Sequence, residues 1–125
     1  MFRDVQPFPS FSVDDVQAAK RFYGDTLGLK VADEPMGGLS LKLDGGSSVF
    51  VYPKDDHVPA TFTILNFPTD DVPQAVQDLK RKGVRFEHYD RPDLHTDADD
   101  IMRGNGPEIA WFKDPAGNVL SVIGR

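Results

Sequence analysis

Val13-Asp14-Asp15-Val16-Gln17-Ala18-Ala19, running on to Leu27-Gly28-Leu29, returns half a chain later as Thr69-Asp70-Asp71-Val72-Pro73-Gln74-Ala75, running on to Lys82-Gly83-Val84. In each copy a strand ends in paired aspartates and leads into a short helix stopped by glycine. The spacing is too long for a solenoid unit, and two copies make a pair rather than an array. The sequence therefore predicts a duplicated module, about 1–57 and about 58–125, within one domain.

Helix chemistry at the two repeats is explicit. Asp14 can accept the orphan N–H groups of a first turn, with Gln17 three residues on in a capping-box arrangement. Val16, Ala19, Phe22, Tyr23 and Leu27 then recur at helical spacing and form the packing face, leaving Lys20, Arg21 and Asp25 to solvent. In the second copy Asp70 or Asp71 is the cap and Pro73 is tolerated in the first turn. Val72, Ala75, Val76 and Leu79 form its stripe, and Gly83 is the stop.

Short runs rich in Val, Ile, Phe, Leu and Thr predict strands at 8–13, 30–33, 39–43, 48–52, 60–67, 84–89, 108–113 and 118–123. Asp44-Gly45-Gly46-Ser47 and Asp114-Pro115-Ala116-Gly117 read as hairpin turns. The segment from Asp90 to Pro107 is acidic and aperiodic, and is expected to be a solvated lid. Gly104-Asn105-Gly106 within it reads as a turn.

Alternation sorts the strand residues into two faces. One collects Phe11, Val13, Leu39, Leu41, Leu43, Val49, Val51, Leu65, Phe67, Ala110, Phe112, Leu120 and Val122, an apolar face for helices to cover. The other carries Phe8, Ser10, Phe50, Tyr52, Phe62, Ile64, Trp111 and Ser121 among its members. Aromatics mixed with small hydroxyls suit the wall of a ligand cavity.

Composition narrows the function. The 125 residues carry a net charge of −6, and Lys80-Arg81-Lys82, at a helix C-terminus, is the sole basic run, so a nucleic-acid partner is not expected. With no cysteine, disulfides, thiolate metal sites and Cys nucleophiles are excluded. Met1-Phe2-Arg3-Asp4 does not open a secretory signal, and nothing approaches the ~18 apolar residues of a membrane span. A cytoplasmic protein is expected.

Val13-Asp14-Asp15-Val16 leading to Phe22-Tyr23 and Leu27-Gly28-Leu29, its recurrence at Asp70-Asp71-Val72 to Lys82-Gly83-Val84, and Trp111-Phe112-Lys113-Asp114-Pro115-Ala116-Gly117-Asn118 together resemble the glyoxalase/bleomycin-resistance/dioxygenase superfamily of vicinal oxygen chelate proteins. The resemblance spans essentially the whole chain. It implies an α+β fold of two βαββ(β) modules, with curved mixed sheets backed by helices into a cup, and a homodimer. In metal-dependent members the ligand positions correspond to Phe8, Ile64, Ser121 and, less directly, Phe50. Phenyl and aliphatic groups have no lone pairs, and one serine hydroxyl is a weak ligand.

Asp93, His95, Asp97, Asp99 and Asp100 fail as a calcium loop, since Ala98 and Gly104 stand where an EF-hand needs Gly and Glu. His88 with Tyr89 has the chemistry of a general acid or base, and Tyr52 and Ser121 that of carbonyl or hydroxyl positioning. The sequence thus points to a protein without cofactor that binds a small aromatic or partly apolar molecule through Phe8, Ser10, Phe50, Tyr52, Phe62, Ile64, Trp111 and Ser121. The alternative is a metal-dependent lyase, isomerase or extradiol-type dioxygenase with shifted ligands such as His57, His88, His95 or Glu108.

Overall fold

A computed structural model describes residues 1–104 and 106–125; Asn105, and with it the expected Gly104–Gly106 turn, lies outside the described residues. The chain folds as two compact units, Met1–Val58 and Pro59–Arg125.

In the first unit, strand β1 (Ser10–Val13) leads into helix α1 (Val16–Arg21), followed by β2 (Lys30–Asp33), β3 (Leu39–Lys42) and β4 (Ser48–Pro53). The sheet order is β1-β4-β3-β2, with β1 parallel to β4 and the other pairs antiparallel. A parallel pair needs a long crossover, and α1 supplies it. The helix cap is Asp15 and not Asp14: Asp15 is the extended residue, and its Oδ1 accepts from Ala18 N at 3.1 Å.

Nor does α1 run unbroken to Leu27. Phe22–Thr26 widens into a π-helical turn in which Leu27 N–H reaches Phe22 O at 2.9 Å. Tyr23 is fully buried there, between Phe22 (5.2 Å, edge-on) and Phe11 of β1 (5.8 Å). Beneath α1 lie Val13, Leu39, Leu41, Val49 and Val51, at most 1% exposed and each stabilising by roughly 1.5–3 kcal/mol. At Asp44–Ser47 the β3–β4 hairpin turns through Gly45 (φ 89°) and Gly46 (φ 90°), a left-handed pair that side-chain-bearing residues seldom adopt.

The second unit repeats the plan with β5 (Thr63–Thr69), α2 (Val72–Arg81), a hairpin of β6 (Asp90–Arg91) and β7 (Leu94–His95), then β8 (Ile109–Lys113) and β9 (Val119–Gly124). Its main sheet is β5-β9-β8, again with the first strand parallel to the last. Asp71 caps α2, accepting from Gln74 N at 3.1 Å, and the buried Val72 and Val76 face β8 and β9. The Asp114 turn is tied from inside: its buried carboxylate accepts from Asn118 N (2.8 Å) and Nδ2 (3.0 Å), while Asn118 Oδ1 accepts from Ala60 N (3.2 Å).

Two expectations are corrected in this unit. The strand expected at 84–89 is reduced to one bridge, Phe86 to Phe112, with Glu87 N–H donating to Trp111 O. The segment after Asp90 is no solvated lid, because the β6–β7 hairpin and two fully buried residues, Thr96 and Ile101, pin it to the unit. Asp97 organises it, accepting from Asp99 N, Ile101 N and Arg103 Nε.

Burial opposes ionisation of Asp97, but its two backbone donors and the Arg103 guanidinium prevail and hold its pKa below the ordinary carboxylate value. A depressed folded-state pKa gives stability that is present above the unfolded value, about 3.9, and is lost as pH falls through the folded one. Asp97→Asn should therefore lower the urea midpoint at neutral pH, and the gap to wild type should close as the pH drops from about 5 to about 2. A gap that stays constant down to the acid limit would contradict this account.

Candidate functional site

In the first unit, the side of the sheet away from α1 carries rows set by register. Ser10 (β1), Phe50 (β4) and Ser40 (β3) lie side by side, as do Ser12 with Tyr52 and Ser48 with Lys42. The Phe50 and Tyr52 rings stack at 5.8 Å and 18°. A cavity of about 470 Å3 opens here, lined by Gln6, Pro7, Phe8, Glu34, Ser40, Gly46, Ser47, Ser48 and Phe50. That volume falls within the roughly 300–1,000 Å3 usual for small-molecule sites.

Of the expected residues in this unit, Phe8 and Phe50 both line the cavity. Ser10 is the backbone partner of Phe50, and Tyr52 supports the Phe50 ring, but neither lines the space. Phe8 is not a strand residue as expected, since β1 begins at Ser10; it stands 68% exposed on the segment before β1. Glu34, Gln6, Pro7 and the turn residues Gly46 and Ser47 were not foreseen. They come from strand ends and connections, where alternation carries no information. Glu34 did have a local signal: an acid follows β2 just before Pro35-Met36-Gly37-Gly38, a turn that folds the chain back into β3.

Gly38 sets the ring position. A Cβ there would meet Val51 O at 2.6 Å and the Phe50 ring at 2.7 and 2.9 Å, so Phe50 lies where a side chain at position 38 would stand.

The remaining candidates belong to the second unit. Asn66, Ser121 and Trp111 form one row across β5, β9 and β8. Trp111 Nε1 donates to Thr63 Oγ1 at 3.1 Å, and the indole meets the Tyr89 ring edge-on at 5.7 Å. Burial raises the pKa of the Tyr89 phenol, the Glu87 carboxylate adding to it, so this hydroxyl keeps its proton at neutral pH. Ser121 is fully buried, and its hydroxyl donates to Asn66 Oδ1 at 2.6 Å.

Ile64 falls at a β-bulge between Thr63 and Leu65, where the ladder to β9 skips one residue. The bulge breaks the expected alternation, putting Thr63 on the Trp111 side. Phe62 lies outside β5 and is 68% exposed, so it is a surface residue and not the strand residue expected.

The positions that the resemblance assigned to metal ligands thus hold an exposed phenyl, a stacked phenyl, a bulge isoleucine and a serine committed to Asn66. Among the described residues, no three His, Asp or Glu side chains are grouped to hold a metal ion. The histidines are dispersed: His57 Nδ1 lies 2.7 Å from Ser12 Oγ, His88 Nδ1 2.9 Å from Asp100 Oδ1, and His95 Nδ1 3.1 Å from Asp90 Oδ1. Glu108 pairs with Arg103 at 3.0 Å. These donors do not fit a divalent-metal centre of the vicinal oxygen chelate type.

The family model described as Glyoxalase/Bleomycin resistance protein/Dioxygenase superfamily matches residues 8–122. The chain belongs to that superfamily. Solved structures agree in fold. TnmS3, an antibiotic binding protein from Streptomyces sp. CB03234, shares 27% identity at a TM-score of 0.69, with 97% of each chain covered. A superfamily member from Sphaerobacter thermophilus DSM 20745 is 22% identical (TM-score 0.69; 97% of this chain and 98% of that one). Lactoylglutathione lyase from Agrobacterium tumefaciens is also 22% identical (TM-score 0.66; 98% and 95%). Among curated proteins, none matches the sequence. The α+β fold of mixed sheets and helices expected from the resemblance is the superfamily fold.

Gly38→Ala should destabilise the protein by about 1–3 kcal/mol, because the added methyl must displace either the Phe50 ring or the β4 backbone. Urea denaturation measures the loss. An unchanged midpoint would show that Phe50 yields freely and that its position is not fixed by this contact.

Proposed function

We propose that this protein binds a small aromatic or partly apolar molecule, without a metal cofactor, in the cavity of its first unit. The observation that carries the reading is that Phe8 and Phe50 line one cavity of about 470 Å3 together with the hydroxyls of Ser40, Ser47 and Ser48, the Gln6 amide and the Glu34 carboxylate. Aromatic faces offer large, rigid contact area, and a few hydroxyls fix orientation. Likeness to TnmS3, an antibiotic binding protein, supports the same class of function. The donor chemistry at the four family ligand positions supports the metal-free part. Tyr52 acts behind the site by holding Phe50. The protein works as a cytoplasmic homodimer, and its role is sequestration of an antibiotic or metabolite rather than turnover.

Two measurements test this. Protein purified without chelator should contain no stoichiometric Ni, Zn, Mn or Fe after dialysis; a metal that survives dialysis overturns the metal-free reading. Planar tricyclic aromatics such as acridine should raise the melting temperature of the wild-type protein. Phe50→Ala should weaken their binding about ten-fold or more, the loss of one buried aromatic contact. Binding indifferent to Phe50 would place the ligand elsewhere.

A further inference from the structure

We propose that the cavity selects a cation: its ligand is a planar aromatic molecule bearing a positively charged nitrogen that pairs with Glu34. This rests on the aromatic-ligand reading above and adds the charge of the ligand to it.

Among the described residues, Glu34 is the one ionisable side chain in the cavity lining. It is half-buried, and its backbone is held at both ends of the turn, its N–H donating to Gly38 O at 2.8 Å and its carbonyl accepting from Gly37 N at 3.0 Å. Its neighbour Asp33 already pairs with Lys20 at 3.1 Å. Among the described residues, no Lys, Arg or His pairs with the Glu34 carboxylate, and no side-chain donor bonds it. Lys42, beside Ser48 on the same sheet face, is exposed and outside the lining.

The rest of the wall favours the same sign. Ser40 is 6% exposed, lines the cavity, and its hydroxyl has no partner among the described side chains, so its lone pairs are available to an ammonium or ring N–H. The π faces of Phe8 and Phe50 carry a negative quadrupole that attracts a cation. An anionic ligand would bring its charge against an unneutralised carboxylate. A neutral one would leave that carboxylate partly stripped of water without compensation.

The test uses three tricyclic probes of matched shape and different charge near neutral pH: 9-aminoacridine (cation), acridine (neutral) and acridine-9-carboxylate (anion), titrated by calorimetry. Wild-type protein should bind the cation at least about ten-fold more tightly than acridine, equivalent to about 1.4 kcal/mol. That margin should shrink between about 50 and about 500 mM salt. Glu34→Gln should remove the gap, leaving 9-aminoacridine and acridine about equal in affinity, and Glu34→Lys should turn the preference toward the carboxylate. Asp25→Asn, an exposed acid outside the lining, should leave the ratio intact, which separates a local pairing from the pull of the net charge of −6.

Equal binding of cation and neutral probe by wild type, or a preference that survives Glu34→Gln, overturns the charge assignment. Acridine binding lost in Phe50→Ala would still uphold the aromatic cavity. If no probe binds, both readings fall.

Discussion

In each unit the first strand pairs in parallel with the last, β1 with β4 and β5 with β9, and everything else follows from closing that pair. Parallel neighbours cannot be joined by a tight turn, so the chain must leave the sheet, cross one face and return. The aspartates that end β1 and β5 make this possible. Asp15 and Asp71 each give a side-chain oxygen to the first helical turn, so the helix starts as the strand stops. The helix covers one face, and the other is left for a different use.

The consequence is a division of chemistry between faces. Beneath α1 the sheet is apolar and closed, with Val13, Leu39, Leu41 and Val51 fully buried. Across the same strands, Ser40 and Phe50 look into open space. A strand residue changes role by moving one position along the chain, which is how four short strands carry both a core and a binding wall. In the second unit the equivalent row is more self-contained. Ser121 is spent on Asn66 and Trp111 on Thr63, so its polar groups are already satisfied within the protein.

Where the signal was local chemistry or regular alternation, the sequence was a sound guide. The α2 cap, the glycine stops and the Asp44 and Asp114 turns are written in two to five residues each, and the two faces of β3 and β4 followed from strict alternation, although the α1 cap fell at Asp15 and not Asp14. It failed where one residue shifts phase. Nothing in Thr61-Phe62-Thr63-Ile64 announces a bulge, yet that bulge moves Thr63 to the Trp111 side and sets Ile64 apart from the ladder. It failed again at 90–107, where the buried Thr96 and Ile101 are five apart and match no helical or strand period. Glu34 was passed over because side-chain type alone does not distinguish an acid in solvent from one that a turn folds over a cavity.

Gly38 has a reach beyond its own contact. It does not line the cavity, yet the hydrogen in place of its side chain decides where the Phe50 ring rests, and so how wide the cavity is. A descendant that acquired a methyl there would have to swing the ring or shift β4, and would meet its ligands in a differently shaped space with every lining residue still present. Ligand range in such a lineage is heritable at a site the ligand never touches, and comparing lining residues alone would miss the divergence.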